Sequence, residues 1–167
     1  MPNRPPQRRG FLAVLGSGGL GLSGCGFALR GTPALPFRSI ALTGFAPRSP
    51  LAEALRRELG ASVRVVDNPA EADLVLQALA DRREKVVVAS TAAGQVRELQ
   101  LRIHLKFQAQ TSAGRELIAP AELLLKRDLT FNETAALGKA VEEAGLYREM
   151  QADIVAQLMR RLAVVRL

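Results

Sequence analysis

The stretch Glu98–Gln108, with the sequence ELQLRIHLKFQ, decides the fold of this chain because its polarity changes at every residue. Side chains along a β-strand point alternately to the two sides of a sheet. Strict alternation therefore predicts a long strand with one buried face and one solvated face. The apolar set is Leu99, Leu101, Ile103, Leu105 and Phe107, and the polar set is Glu98, Gln100, Arg102, His104, Lys106 and Gln108.

Turn-forming residues on both sides of this strand predict antiparallel neighbours. The stretch TAAG precedes it and ends at Gly94, and the stretch TSAG follows it and ends at Gly114. Short turns of this kind join adjacent antiparallel strands. We therefore expect a preceding strand over Leu74–Ala80, which can continue to Ser90, and a returning strand over Arg115–Phe131.

A short amphipathic helix is predicted before the sheet. Ser49 is a good N-cap, and Pro50 fits the first helical position because its missing N–H has no intrahelical partner there. Gly60 supplies the C-terminal stop. One face carries Leu51, Leu55 and Leu59, which are spaced four residues apart.

A second helix is predicted after the last strand, with Asn132 or Thr134 as its N-cap. We expect an apolar stripe made of Leu137, Val141, Met150, Ile154 and Leu158. The water-facing set then contains Lys139, Glu142, Glu143, Glu149, Asp153 and Arg160.

Two short strands, Phe37–Leu42 and Ala61–Val66, complete the order βαβ–β–β–β–α. Two helices can cover one face of a single sheet. The sequence therefore predicts an α+β fold, a two-layer sandwich of a mixed, mainly antiparallel β-sheet with two α-helices on one face. We expect residues 37–167 to form a single α+β domain.

The N-terminus has the pattern of a bacterial lipoprotein signal, with Leu22-Ser23-Gly24 before Cys25 behind a basic start and an apolar run. We expect cleavage before Cys25, attachment of lipid to its thiol, and hence a signal peptide over residues 1–24 and a lipid-anchored tether over 25–36. Arg8-Arg9 followed by Phe11-Leu12 resembles a twin-arginine leader, while an ordinary leader with a basic start remains open. Gly26 is not aspartate, so the usual inner-membrane retention signal is absent.

Charge and composition exclude several function classes. The leader contains three arginines, so the mature chain has 20 Lys and Arg against 16 Asp and Glu. Acylation of Cys25, the single cysteine, leaves no thiol for a disulfide, catalysis or a metal. The single histidine, His104, has no nucleophile motif beside it. Aromatic residues make up 4% of the chain and are not interleaved with basic clusters, which argues against nucleic-acid binding. We predict a non-enzyme without cofactor or metal.

The residues after the leader resemble a known family. Cys25–Gly31, with the sequence CGFALRG, is similar to the opening of the LPS-assembly lipoprotein family, LptE. The resemblance continues in order through an Arg- and Leu-rich helix at 51–59, Gly94-Gln95 before the alternating strand, Phe131-Asn132, Ala136–Lys139, Glu142-Glu143, Arg148–Met150 and Leu158–Leu162.

The resemblance implies an outer-membrane lipoprotein that plugs and helps assemble the LptD barrel and aids delivery of lipopolysaccharide to the cell surface. Its partners would be an LptD-type barrel, lipopolysaccharide and the membrane that holds its lipid anchor, and it would face the periplasm and the barrel lumen. Lys139 matches the basic position of the family at the start of the last helix. Arg97 and Lys106 add charge nearby in sequence, and these three cations are candidate contacts for lipid A phosphates.

A periplasm-facing adaptor lipoprotein of another outer-membrane assembly or secretion complex is the alternative from a different class. The residues that carry the family resemblance favour the first interpretation. Co-purification with a large barrel would discriminate the two.

Overall fold

The computed structural model describes residues 34–132 and 136–167. The leader, Cys25, the first part of the tether, and Thr134 as a candidate cap therefore lie outside the described residues. The elements are, in chain order, β1 (Ser39–Thr43), α1 (Pro50–Gly60), β2 (Arg64–Val66), a 3₁₀ turn (Pro69–Glu71), β3 (Leu74–Ser90), β4 (Val96–Gln110), β5 (Glu116–Thr130) and α2 (Ala136–Leu162).

The strands form one mixed sheet in the order β2-β1-β3-β4-β5. β1 lies between β2 and β3 and runs parallel to both, while β4 is antiparallel to β3 and to β5. The α+β prediction and the two antiparallel hairpins are confirmed. Gly94 and Gly114 have φ of +80° and +85°, so each hairpin turn uses a glycine where the backbone is left-handed.

Both helices share one hydrophobic core with the apolar face of β4. Leu101 and Leu105 are fully buried, and one core cluster joins them to Leu55 and Leu59 of α1 and to Ile154 of α2. The alternation in β4 therefore has the predicted result, with one face in the core and the other partly solvated. Among the described residues, no helix combines the length and the apolar character that crossing a membrane requires.

The starts of β1 and β2 differ from the sequence prediction, and β4 and β5 differ from it by one or two residues at each end. β1 begins at Ser39, and β2 begins at Arg64, because residues 61–63 still finish the turn that ends α1: the N–H groups of Ala61, Ser62 and Val63 bond to Glu58 or Leu59 carbonyls. β3 is continuous from Leu74 to Ser90. The N-cap prediction for α1 is confirmed, since Ser49 Oγ accepts a hydrogen bond from the Ala52 N–H at 3.1 Å.

The predicted apolar stripe of α2 is wrong for two of its five residues. Met150, Ile154 and Leu158 are fully buried, whereas Leu137 and Val141 are 89% and 71% exposed. Val141 and Met150 are nine residues apart, which is two and a half helical turns, so they point to opposite sides of the helix. The buried stripe instead continues toward the N-terminus through Tyr147, which is 3% exposed.

A carboxylate fixes the point where the chain enters the sheet. Asp73 Oδ2 accepts hydrogen bonds from the N–H groups of Arg38 and Ser39 at 2.9 and 3.0 Å, and Ser39 Oγ accepts one from the Asp73 N–H at 2.9 Å. The bond from the Arg38 N–H, followed by those from Ser39, lowers the pKa of Asp73 below its ordinary value of 3.8.

Because the pKa of Asp73 is lowered on folding, its carboxylate stabilises the fold above about pH 4, and this contribution is lost as pH falls through the lowered pKa. Asp73→Asn should therefore lower the melting temperature modestly near neutral pH and by a smaller amount at acidic pH, as measured by circular dichroism. Asp67→Asn is the matched control, since the exposed Asp67 side chain forms no hydrogen bond with another described residue. A deficit in Asp73→Asn that does not shrink in acid would contradict this role.

Candidate functional site

The sheet has two ends that differ in chemistry. The Gly94 end comprises the β3–β4 turn, the end of β5 and the start of α2. The Gly114 end comprises the start of β1, the β4–β5 turn and the end of α2. Each predicted site residue within the described ranges can be assigned relative to these two ends.

Four of the eight large apolar side chains that are exposed among the described residues lie at the Gly94 end. Val87 and Val88 near the end of β3 are 51% and 45% exposed, and Leu137 and Val141 in the first turns of α2 are more exposed still. These four side chains give the Gly94 end exposed apolar surface.

Cations lie beside these apolar side chains. Lys139 Nζ is 2.7 Å from Glu142 Oε2, and Lys85 Nζ is 3.0 Å from Glu143 Oε2. Arg97 is exposed at the start of β4, and its carbonyl accepts the Phe131 N–H at 2.8 Å where β5 ends. The Gly94 end therefore combines apolar surface with cations. Both ion pairs, Lys139–Glu142 and Lys85–Glu143, are partly accessible to solvent.

Tyr147 ties α2 to β3 and so positions this end. Its hydroxyl donates a hydrogen bond to the Glu84 carbonyl at 2.7 Å, and the Arg83 guanidinium carbon lies 3.6 Å from its ring centroid. This is the distance of a cation–π contact. Lys85–Glu143 adds a second link one helical turn closer to the start of α2.

The structure brings two of the three predicted cations to the same end. Arg97 and Lys139 both belong to the Gly94 end. Lys106 lies opposite Ala80 and Glu122 on the polar side of the sheet. It is nine residues from Arg97 along β4, which is about 30 Å in a strand. Arg97 and Lys106 are therefore close in sequence but do not belong to one cluster.

The polar face, formed by the even-numbered side chains of β4 and their neighbours on β3 and β5, contains the single histidine. His104 Nε2 lies 2.9 Å from Glu122 Oε1, but the angle is not that of a hydrogen bond. Arg82 and Leu124 flank His104 on the adjacent strands. Neither residue paired with His104 is a serine or threonine. Within 34–132 and 136–167, no cluster of His, Asp and Glu is placed to hold a metal.

The apolar part of the Gly94 end was missed by the sequence prediction. Val86-Val87-Val88 is a run of three β-branched residues that breaks the alternation, and it was the available signal. Register shifts between β3 and β4 at Val87, Ala89 and Ser90 follow directly after it. Such bulges re-aim side chains near the end of a strand.

Comparison with known proteins decides the family. Residues 37–162 match the model of the family described as LptE, lipopolysaccharide-assembly. The chain belongs to the LptE family. Two LptE relatives, each named an LPS-assembly lipoprotein, come from Yersinia enterocolitica and Pectobacterium atrosepticum. They are 33% and 32% identical to this chain over 163 residues, which covers 95% of it and 78% and 88% of the relatives.

Solved structures agree with the LptE assignment. The solution structure of uncharacterized lipoprotein B from Nitrosomonas europaea has a TM-score of 0.67 and 30% identity, and covers 81% of this chain and 88% of that one. The crystal structure of rare lipoprotein B from Shewanella oneidensis has a TM-score of 0.59 at 23% identity, covers 75% and 94%, and supports the fold alone.

Proposed function

We propose that this chain is a lipopolysaccharide-assembly lipoprotein of the outer membrane, anchored through Cys25, that occupies the lumen of an LptD-type barrel. There it helps the barrel assemble and aids delivery of lipopolysaccharide to the surface. The observation that carries the proposal is the LptE family match over residues 37–162, which spans both helices and all five strands. The lipoprotein signal at Leu22–Cys25 supports the anchor.

The polar face supports residence in a water-lined lumen. Its side chains bond to one another: Gln100 Nε2 donates to Asp128 Oδ1 at 2.9 Å, and Arg102 Nε donates to Gln100 Oε1 at 2.7 Å. Toward the Gly114 end, Gln108 Nε2 donates to Gln77 Oε1 at 2.8 Å. A sheet face of this kind presents mixed charge and hydrogen-bonding groups, which suits the polar interior of an outer-membrane barrel.

The Gly94 end supports contact with lipopolysaccharide. Lipid A carries both phosphates and acyl chains, so a surface for it needs cations next to apolar side chains. Arg97 and Lys139 supply cations, and Val87, Leu137 and Val141 supply exposed apolar surface. Arginine and lysine form charge-assisted hydrogen bonds to phosphate. The proposed ligand surface is therefore the Gly94 end, and Lys106 lies away from it.

Charge reversal at Lys139 tests this ligand surface. Lys139→Glu should weaken binding of purified protein to lipopolysaccharide roughly tenfold or more at low salt, because one charge-assisted bond is replaced by repulsion. Glu142→Gln should strengthen binding, because it removes the carboxylate that holds Lys139 Nζ. Fluorescence titration at low and high salt measures both effects.

Lys106→Glu is the matched control, since it reverses the same charge on an exposed strand position about 30 Å from Arg97. It should leave lipopolysaccharide binding unchanged. Melting temperatures exclude unfolding, because an exposed charge reversal changes stability by about 0.5 kcal/mol or less. Equal loss of binding in both reversed variants would contradict a site at the Gly94 end.

The anchor is tested by metabolic labelling with fatty acid. Cys25→Ala removes the thiol that accepts lipid, so the variant should incorporate no labelled fatty acid, whereas the wild-type chain should be labelled. Membrane fractionation alone is insufficient, because a bound barrel can retain an unlipidated chain. Continued labelling of Cys25→Ala would show that the lipid is attached elsewhere or that the label is incidental.

A further inference from the structure

Arginines crowd the Gly114 end. Eight arginines lie in or beside the parts of the strands, helices and turns that are located at this end. Four acidic residues lie there as well, and no lysine belongs to this set. The arginines are Arg38, Arg56, Arg57, Arg64, Arg115, Arg160, Arg161 and Arg166, and the acidic residues are Glu58, Glu71, Asp73 and Glu116.

Strand register places these arginines along one edge of the molecule. The Arg64 N–H bonds to the Arg38 carbonyl at 2.9 Å at the start of β2 and β1. Ile40 pairs with Leu74 and Val75 with Gln110, so the same edge continues to the β4–β5 turn that contains Arg115. The end of α2 joins this edge, since the Arg161 guanidinium carbon lies 5.5 Å from the ring centroid of Phe107 on β4.

Among the described residues, the arginines of this edge outnumber its acidic residues and form no ion pair with them. In the part of the chain that the structure describes, ion pairs join Lys85 to Glu143, Arg127 to Asp153 and Lys139 to Glu142, and none includes an arginine of this set. One of the four acidic groups there, Asp73, is already engaged by two backbone N–H groups. A positive excess therefore remains exposed.

This edge is also where the proposed lipid anchor joins the domain. β1 begins at Ser39, and eight residues separate Cys25 from Ala34. A fully extended chain of that length spans about 30 Å. The tether therefore limits how far the arginine-rich edge can be from the bilayer that holds the acylated cysteine.

We propose that the Gly114 end docks on anionic phospholipid headgroups of the leaflet that holds the Cys25 anchor. Basic residues at an anionic membrane surface each contribute to attraction, and guanidinium groups bind phosphate oxygens in a bidentate manner. Docking would give the protein a second membrane signal besides its lipid. It would also orient the domain with the Gly94 end directed away from that leaflet. The inference rests on the proposed anchor.

The test uses the mature chain, residues 25–167, carrying Cys25→Ala, so that neither acylation nor the basic, apolar leader can contribute to binding. Its co-sedimentation with vesicles of phosphatidylethanolamine alone is compared with vesicles that also contain phosphatidylglycerol. We expect binding only to the mixed vesicles, with loss at high salt because ions screen the charges. Adding Arg115→Gln and Arg160→Gln, two exposed positions in a turn and in the last helical turn, should weaken this binding about tenfold or more.

Arg82→Gln with Lys126→Gln is the matched control, because it removes two exposed charges from the polar face and leaves the Gly114 end intact. This pair should bind mixed vesicles as the parent does. Equal binding to both vesicle types, or equal loss in both double variants, would overturn the proposal. The assay contains no barrel and no lipopolysaccharide, and the variant has no lipid of its own, so failure here is distinct from failure of the proposed function.

Discussion

Leu101→Asp and Ile103→Asp should each unfold the domain. The two side chains are 0% and 2% exposed in the middle of β4, within the core to which both helices contribute. A carboxylate there would be buried without a partner, which costs several kcal/mol in addition to the apolar contacts that are lost. Domains of this size are stable by about 5–15 kcal/mol, so either substitution removes much or all of that margin.

Arg102→Ala tests whether the other face of the same strand is less important for stability. Arg102 points to the polar face and donates a hydrogen bond to Gln100, so its loss should change stability by about 1 kcal/mol or less. Circular dichroism and urea titration measure all three variants. Comparable destabilisation by Arg102→Ala and Leu101→Asp would show that β4 is not one-sided.

Gly44→Ala should be the next most damaging substitution. Gly44 follows β1 with φ of +73°, and a β-carbon there would overlap the carbonyl oxygen of Ala78 in β3 and lie 3.2 Å from its carbonyl carbon. Backbone atoms cannot move aside as a flexible side chain can. The left-handed backbone and the overlap together should cost roughly 2–6 kcal/mol in unfolding free energy.

Gly94→Ala isolates the contribution of the overlap. Gly94 has nearly the same backbone, with φ of +80°, but an added β-carbon there meets no atom within 4 Å. Its substitution should therefore cost only the conformational penalty, about 1 kcal/mol. If urea titration gives the two variants the same loss, the close approach of Gly44 to β3 does not matter for stability.

The central hairpins could be predicted from sequence because their signals are local. The alternation over Glu98–Gln108 fixed which residues of β4 enter the core, and the turns ending at Gly94 and Gly114 fixed the antiparallel pairing. Each signal depends on residues within a few positions of one another. The position of β1 between β2 and β3 is different, because it results from pairing between segments far apart in the chain.

The face of α2 that packs on the sheet could not be predicted from a list of apolar residues alone. Leu137 and Val141 belong to one side of the helix and Met150 to the other, since the nine-residue step between Val141 and Met150 reverses direction. Following the helical repeat from Met150 back to Tyr147 identifies the buried side of α2. The exposed pair then becomes part of the Gly94 end, so this error in the core prediction concealed part of the candidate site.

The candidate ligand cations illustrate the same limit. Arg97 and Lys139 are 42 positions apart in the chain yet belong to one end of the sheet, whereas Lys106 is nine positions from Arg97 and lies toward the other end. Strand direction, not sequence distance, decides which charges meet. The sequence could supply the residue types but not their grouping.

The most direct test of the account is affinity purification of the acylated wild-type chain from outer membranes, followed by quantitative mass spectrometry of what remains bound. We predict one large LptD-type β-barrel at a one-to-one ratio, retained by Lys139→Glu because that substitution affects ligand contact at the Gly94 end. Recovery of the chain with a different outer-membrane assembly or secretion complex, and without such a barrel, would contradict the proposed function.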